Sequence, residues 1–218
     1  MDIFNKDSGI AVTTVRVLNF RSLANVEVEL GDLTVVIGAN NAGKTSFLDA
    51  LFAAIGAGRK LLSVDDVRLE PAEATAPKTR EIMIDVKLQP VGDDGKVLDA
   101  YPAGSFWTGL WGTPGITVDA EFMEFTPIRT TLKWSAVKGE YVMERKFLKE
   151  WRDFGDWTNA AVHDRLVSAA QMEPIALHYV DAKRDLDDDL RRPGSFWRRL
   201  TEDLGLSATD IDAMEVTL

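Results

Sequence analysis

Gly38, Gly43, Lys44 and Thr45 fall at the spacing glycine, four residues, glycine, lysine, threonine, within Gly38-Ala39-Asn40-Asn41-Ala42-Gly43-Lys44-Thr45. Each residue type has a chemical use at its place. The two glycines let the backbone curl until successive N–H groups converge on one anion. Lys44 carries an ammonium able to reach the β- and γ-phosphates of a nucleotide, and Thr45 offers a hydroxyl to Mg²⁺. Asn40, Asn41 and Ala42 complete the cradle. A ligand-free glycine turn would have no packing use for the lysine and threonine, so the residues point to phosphate binding.

Such a loop works only between the right elements. Leu33-Thr34-Val35-Val36-Ile37 is an apolar, β-branched run and predicts a buried strand feeding the loop. Ser46-Phe47-Leu48-Asp49-Ala50-Leu51-Phe52 predicts a helix leaving it, whose positive end adds to the anion site. Upstream, residues 11–20 and the alternating Val26-Glu27-Val28-Glu29-Leu30 predict two antiparallel strands, with Gly31-Asp32 as a turn. Downstream, residues 81–88 predict a strand, residues 92–115 a long connection, and residues 117–125, 130–137 and 141–147 three more strands. Lys138-Gly139 is a plausible tight turn between the last two. Residues 157–172 predict a helix, residues 174–180 a buried strand, and the charged remainder helix broken at Pro193-Gly194. The expected fold class is α/β: a P-loop NTPase core with an antiparallel β-meander inserted over residues 80–148 of a single domain, 1–218.

The chain has 218 residues, enough for a sizeable core. Its 45% hydrophobic and 28% charged content are ordinary for a globular protein. A net charge of −10 argues against a surface that coats nucleic acid, without excluding a local basic patch. There are no cysteines, which removes disulfides and thiolate metal sites. No apolar run is long enough to span a bilayer and the N-terminus lacks a signal-peptide layout, so the expectation is a cytoplasmic protein without a membrane segment.

The stretch from Phe20 to Leu51, preceded by Asn19, resembles the opening of the ABC-type ATPases of DNA maintenance, RecF and the structural-maintenance-of-chromosomes proteins. It is most similar to the overcoming-lysogenisation-defect (OLD) nucleases, including the nuclease subunit of the Gabija anti-phage system. Asn40-Asn41 in the loop, Asn19-Phe20-Arg21-Ser22 one strand upstream, and His178 to Leu200 carry that likeness. The resemblance implies ATP and Mg²⁺ as ligands, Ser46 at the α-phosphate, and Arg21 near the phosphates. Read from the residues alone, Arg21 is equally a solvated loop residue. It further implies a homodimer, or a partner supplying the rest of the machine, and DNA as a substrate of the full assembly.

The departures are as informative. No serine-rich signature, late histidine switch or apolar strand ending in Asp-Glu is visible, and the metal-binding nuclease domain is absent. No catalytic residue is therefore assigned, weak or no hydrolysis is expected of the chain alone, and it reads as the N-terminal part of such a protein. Asp181 is a poor Walker B candidate. Arg184 and Asp185 lie past an expected strand end, either as ligand-facing groups or as a helix start, and the carboxylates Asp187-Asp188-Asp189 are read as a solvated face. His163 and His178 lack ligand spacing. Arg191, Arg192, Arg198 and Arg199 surround Phe196 and Trp197, a cluster able to meet phosphates or simply to pack. Trp107 and Trp111 either anchor an interface or pack over the meander.

Overall fold

The computed structural model describes residues 9–56, 61–175 and 177. The chain divides between Leu177 and His178, and all that follows concerns the first unit. The expectations at His178, Asp181, Arg184, Asp185, residues 187–189 and the arginine cluster lie outside the described residues.

Seven strands build the scaffold: β1 (Gly9–Phe20), β2 (Leu23–Glu29), β3 (Ile82–Val91), β4 (Thr117–Val118), β5 (Glu124–Ser135), β6 (Glu140–Leu148) and β7 (Val162–Leu166). Their order is β2-β1-β3-β5-β6-β7, antiparallel throughout, with β4 beside β5. The meander strands are thus continuous with the opening hairpin in one sheet. β3 sits at its centre: Ile82 to Val86 are buried on both faces, Asp85 among them, while Lys87, Gln89 and Val91 are half-buried. At the β5–β6 turn Gly139 takes φ 69° and its N–H donates to the Ser135 carbonyl, as the Lys138-Gly139 pair foretold.

On one face of the sheet, Val15, Val17, Ile82, Ile84, Val86, Leu88, Ile128 and Leu132 pack against helix α1 (Lys44–Ile55). α1 contributes Phe47, Ala50, Leu51, Ala53, Ala54 and Ile55 to that core. Each large side chain buried there is worth about 1.5–3 kcal/mol, and this packing holds a short helix that would be marginal alone. The sheet also grips α1's last carbonyls: Thr130 Oγ1 donates to Ala54 O and Arg145 to Ala53 O. The fold is therefore α/β and P-loop NTPase-like, with the loop's helix seated on the sheet.

The opposite face carries a ladder of charge. Register places Glu27, Arg16, Asp85, Arg129 and Lys146 side by side across five strands. Residues 149–161 cover it, with the Arg16 guanidinium 4.3 Å from the Trp151 ring centre and Trp157 fully buried.

Three expectations are corrected. Leu33–Ile37 form no strand: β1 is already paired on both edges, by β2 and β3, and the run stands exposed, Leu33 at 86% and Ile37 at 89%. Residues 157–172 are not one helix. They make a 3₁₀ turn at Trp157–Asn159, then β7, then the short helix α3 (Ala169–Met172), because the edge of β6 recruits Val162–Leu166. Residues 117–125 are not one strand: β4 takes only Thr117–Val118, a turn follows, and Glu124 opens β5. β5 then runs on through residues 126–129, which lie between the two expected strands. The long connection 92–115 holds helix α2 (Phe106–Trp111). Trp107 and Trp111 are buried there, stacked with ring centres 4.9 Å apart, which is the packing alternative.

Candidate functional site

The loop's geometry is set by two left-handed residues. Asn41 takes φ 65° and Gly43 φ 94°. Gly43 is required twice over. Its conformation disfavours a side chain, and a Cβ there would lie 2.7 Å from Leu23 Cδ2 and 3.1 Å from Ser22 Oγ. The turn between β1 and β2 is thus pressed against the loop.

α1 begins at Lys44 with Gly43 as N-cap. No side chain caps it and no acidic residue occupies its first turn. A helix start normally attracts such a cap, so the uncovered N–H groups leave the positive end available to an anion. Lys44 Nζ donates to the carbonyls of Gly38 and Ala39, each at 2.7 Å, curling back over its own loop. Among the described residues no carboxylate pairs with it. Ala42 N–H closes a turn onto Ala39 O at 3.2 Å. Asn40, Asn41, Ala42 and Thr45 are exposed, and Ser46 is half-buried.

Arg21 sits in the β1–β2 turn with φ 48°, where its guanidinium bridges Asp49 on α1 and Asp66, the latter at 2.8 Å. Burial opposes its charge, but hydrogen bonds to Asp66 and Asp49 outweigh burial and raise its pKa. The structure therefore holds Arg21 between two carboxylates beside the loop, with a side chain still 34% exposed.

Sequence reasoning missed the roles of Ser22 and Asp49. Ser22 Oγ donates to Ser46 Oγ at 3.2 Å, tying the turn to the helix's first residues. Asp49 had a visible signal, because a carboxylate within the apolar run Phe47–Phe52 needs a cation in reach. Ser22 had none, since its partner lies 24 residues away. His163 is half-exposed on β7, with burial and then nearby Lys149 lowering its pKa, and the described residues hold no cluster of metal-ligating side chains. No helix among them is long and apolar enough to cross a membrane.

No curated protein matches the sequence. Among solved structures the chain is similar to the recombination mediator protein RecF bound to ATP in the RecFOR pathway, at 14% identity and a TM-score of 0.34. That likeness covers 63% of this chain and only 28% of the other. A broader match, over residues 11–184, carries the loop, α1 and all of the sheet but the first two residues of β1: the chain belongs to the AAA ATPase domain family.

Proposed function

We propose that this chain is the ATP-binding module of an OLD-type ABC ATPase, acting with Mg²⁺ in the cytoplasm and coupled in its full assembly to DNA cleavage and defence against phage. One observation carries the nucleotide reading: an ammonium with no carboxylate partner among the described residues lies folded over the loop carbonyls at an uncapped helix start. The residues fit the ligand. Gly38, Asn40, Asn41, Ala42 and Gly43 shape the cradle, Lys44 would exchange two carbonyls for phosphate oxygens, and Thr45 would meet Mg²⁺. Ser46 would face the α-phosphate, held by Ser22. Arg21 would join the phosphates by releasing Asp49 or Asp66.

DNA cleavage and defence rest on the sequence resemblance. With no Asp-Glu strand end and no signature motif, turnover by the chain alone is expected to be very slow. A second copy or a partner chain would complete the machine. Titration calorimetry tests the core of the reading. Wild type is expected to bind ATP with Mg²⁺, and Lys44→Ala to bind at least tenfold more weakly; equal affinity would overturn it.

A second reading, a nucleotide-binding interaction protein without efficient hydrolysis, is favoured by the exposed apolar run before the loop. The two readings separate on stimulated turnover. ATPase activity that rises when DNA and a full-length relative are added supports the first, and activity indifferent to both supports the second.

A further inference from the structure

The outer edge of β6 is only partly paired. β7 meets it at Lys146 and Leu148, and Val167 N–H donates to Arg145 O at 2.8 Å. On an antiparallel strand, main-chain groups of alternate residues point to the same side. The outward carbonyl of Arg145 therefore places the N–H and C=O groups of Met143 and Tyr141 on that same edge. Among the described residues no strand pairs with them there. An unpaired edge is a template for another extended chain.

Side chains alternate too, so Tyr141, Met143 and Arg145 all face the α1 side of the sheet. Beneath the open edge on that side lies a groove of about 450 Å³. Its walls include Leu61, Leu62, Leu132, Leu166 and Val167. Leu61 stays 68% exposed, an apolar rim facing water.

Arg145 lines the same groove as its one cation among the described residues. Because Glu140 alternates with Tyr141 onto the opposite face, Arg145 gives the inward side a charge preference. One guanidinium nitrogen donates to Ala53 O, but its Nε is buried and has no hydrogen-bond partner. No carboxylate pairs with it among the described residues, and burial lowers its pKa, which marks an uncompensated cation. Neighbouring Glu144 is no substitute, for it points to the opposite face, where Lys133 and Lys146 hold it.

We propose that this edge and groove bind an extended peptide of a partner protein, adding a strand beside β6, with alternate inward side chains apolar and acidic. Main-chain bonds to Tyr141 and Met143 supply attachment, and the pocket chemistry supplies selection. An apolar side chain fills the space between Leu61 and Val167, and a carboxylate two residues along meets Arg145.

A fluorescein-labelled heptapeptide, Thr-Val-Thr-Glu-Thr-Val-Thr in sequence, tests this on the full chain by anisotropy and amide hydrogen exchange. Binding is expected to slow exchange at Tyr141 and Met143. A peptide with lysine in place of the glutamate is expected to bind at least tenfold more weakly. Leu61→Lys, at an exposed rim position, is expected to cut affinity several-fold while leaving the melting temperature unchanged. Arg145→Met should erase the preference for glutamate over lysine, and because that variant also loses a bond to α1, its fold is checked by circular dichroism. Absence of binding, equal affinity for the two peptides, or protection at other amides would each overturn the proposal. So would peptide-free protection that grows with protein concentration, which would mark a second copy as the occupant.

Discussion

At the scale of single residues, the site depends on close approach between a loop and a turn far apart in sequence. Gly43 is where they meet, so a methyl group there acts on both. Gly43→Ala must keep a left-handed backbone and push Leu23 aside from a 2.7 Å contact. Strain of this kind costs about 1–3 kcal/mol. The variant is therefore expected to melt lower and to lose ATP binding, because the relaxed loop can no longer aim its N–H groups at one point. Calorimetric scanning and nucleotide titration measure the two effects; an unchanged melting temperature would mean that Leu23 yields freely. The loop residues were legible in the sequence because phosphate chemistry dictates types and spacing within eight positions. The ring of support was not. Ser22 against Ser46, and Arg21 between Asp49 and Asp66, are contacts made by folding, and a local pattern does not encode them.

At the scale of elements, the strands that could be read were those whose neighbours lie close in sequence. β6 and the second half of β5 were legible because a short turn joins them. The first half of β5, by contrast, reads in part as an earlier strand, and β7 looked helical until the edge of β6 paired with it. Least legible was the charged ladder on the outer face, since Asp85 ends an apolar run and resembles a strand-end aspartate. Instead it lies mid-strand and fully buried, in a two-point pair with Arg129 at 2.6 and 2.7 Å. Arg129 also donates to the carbonyls of Trp157, Thr158 and Ala160, fastening the covering segment. Burial pushes Asp85 up to about 6 from 3.8, against the opposing pull of Arg129 and the nearby Arg16. Its folded value exceeds its unfolded one, so its contribution to stability is full below about pH 3.8 and is lost as pH rises through about 6. Arg129→Met removes the main group that favours the anion and should raise Asp85 further. Urea unfolding is expected to show a loss of about 3–5 kcal/mol at pH 7.5. A smaller loss is expected at pH 5, where Asp85 can take up a proton. A loss that grew on acidification would contradict this assignment of charge.

At the scale of the whole molecule, the phosphate loop is anchored firmly at one end only. Its C-terminal side continues into α1, which the sheet holds by apolar packing and by Thr130 and Arg145. Its N-terminal side emerges from Leu33–Ile37, unpaired and exposed, so the bonds from Lys44 to Gly38 and Ala39 brace that end. A run this apolar on a chain of net charge −10 is a place where another surface is needed, since contiguous exposed apolar residues favour association. Exposed in this way, these side chains contribute little to the stability of the described unit. Val35→Thr combined with Ile37→Thr is expected to change unfolding free energy by less than about 0.5 kcal/mol, as ordinary surface changes do. The same pair is expected to lower the binding of a hydrophobic dye and reduce self-association at high salt in light scattering. A penalty of about 2 kcal/mol or more, typical of deleting buried apolar groups, would instead place the run inside a core and make this end of the loop as firmly held as the other.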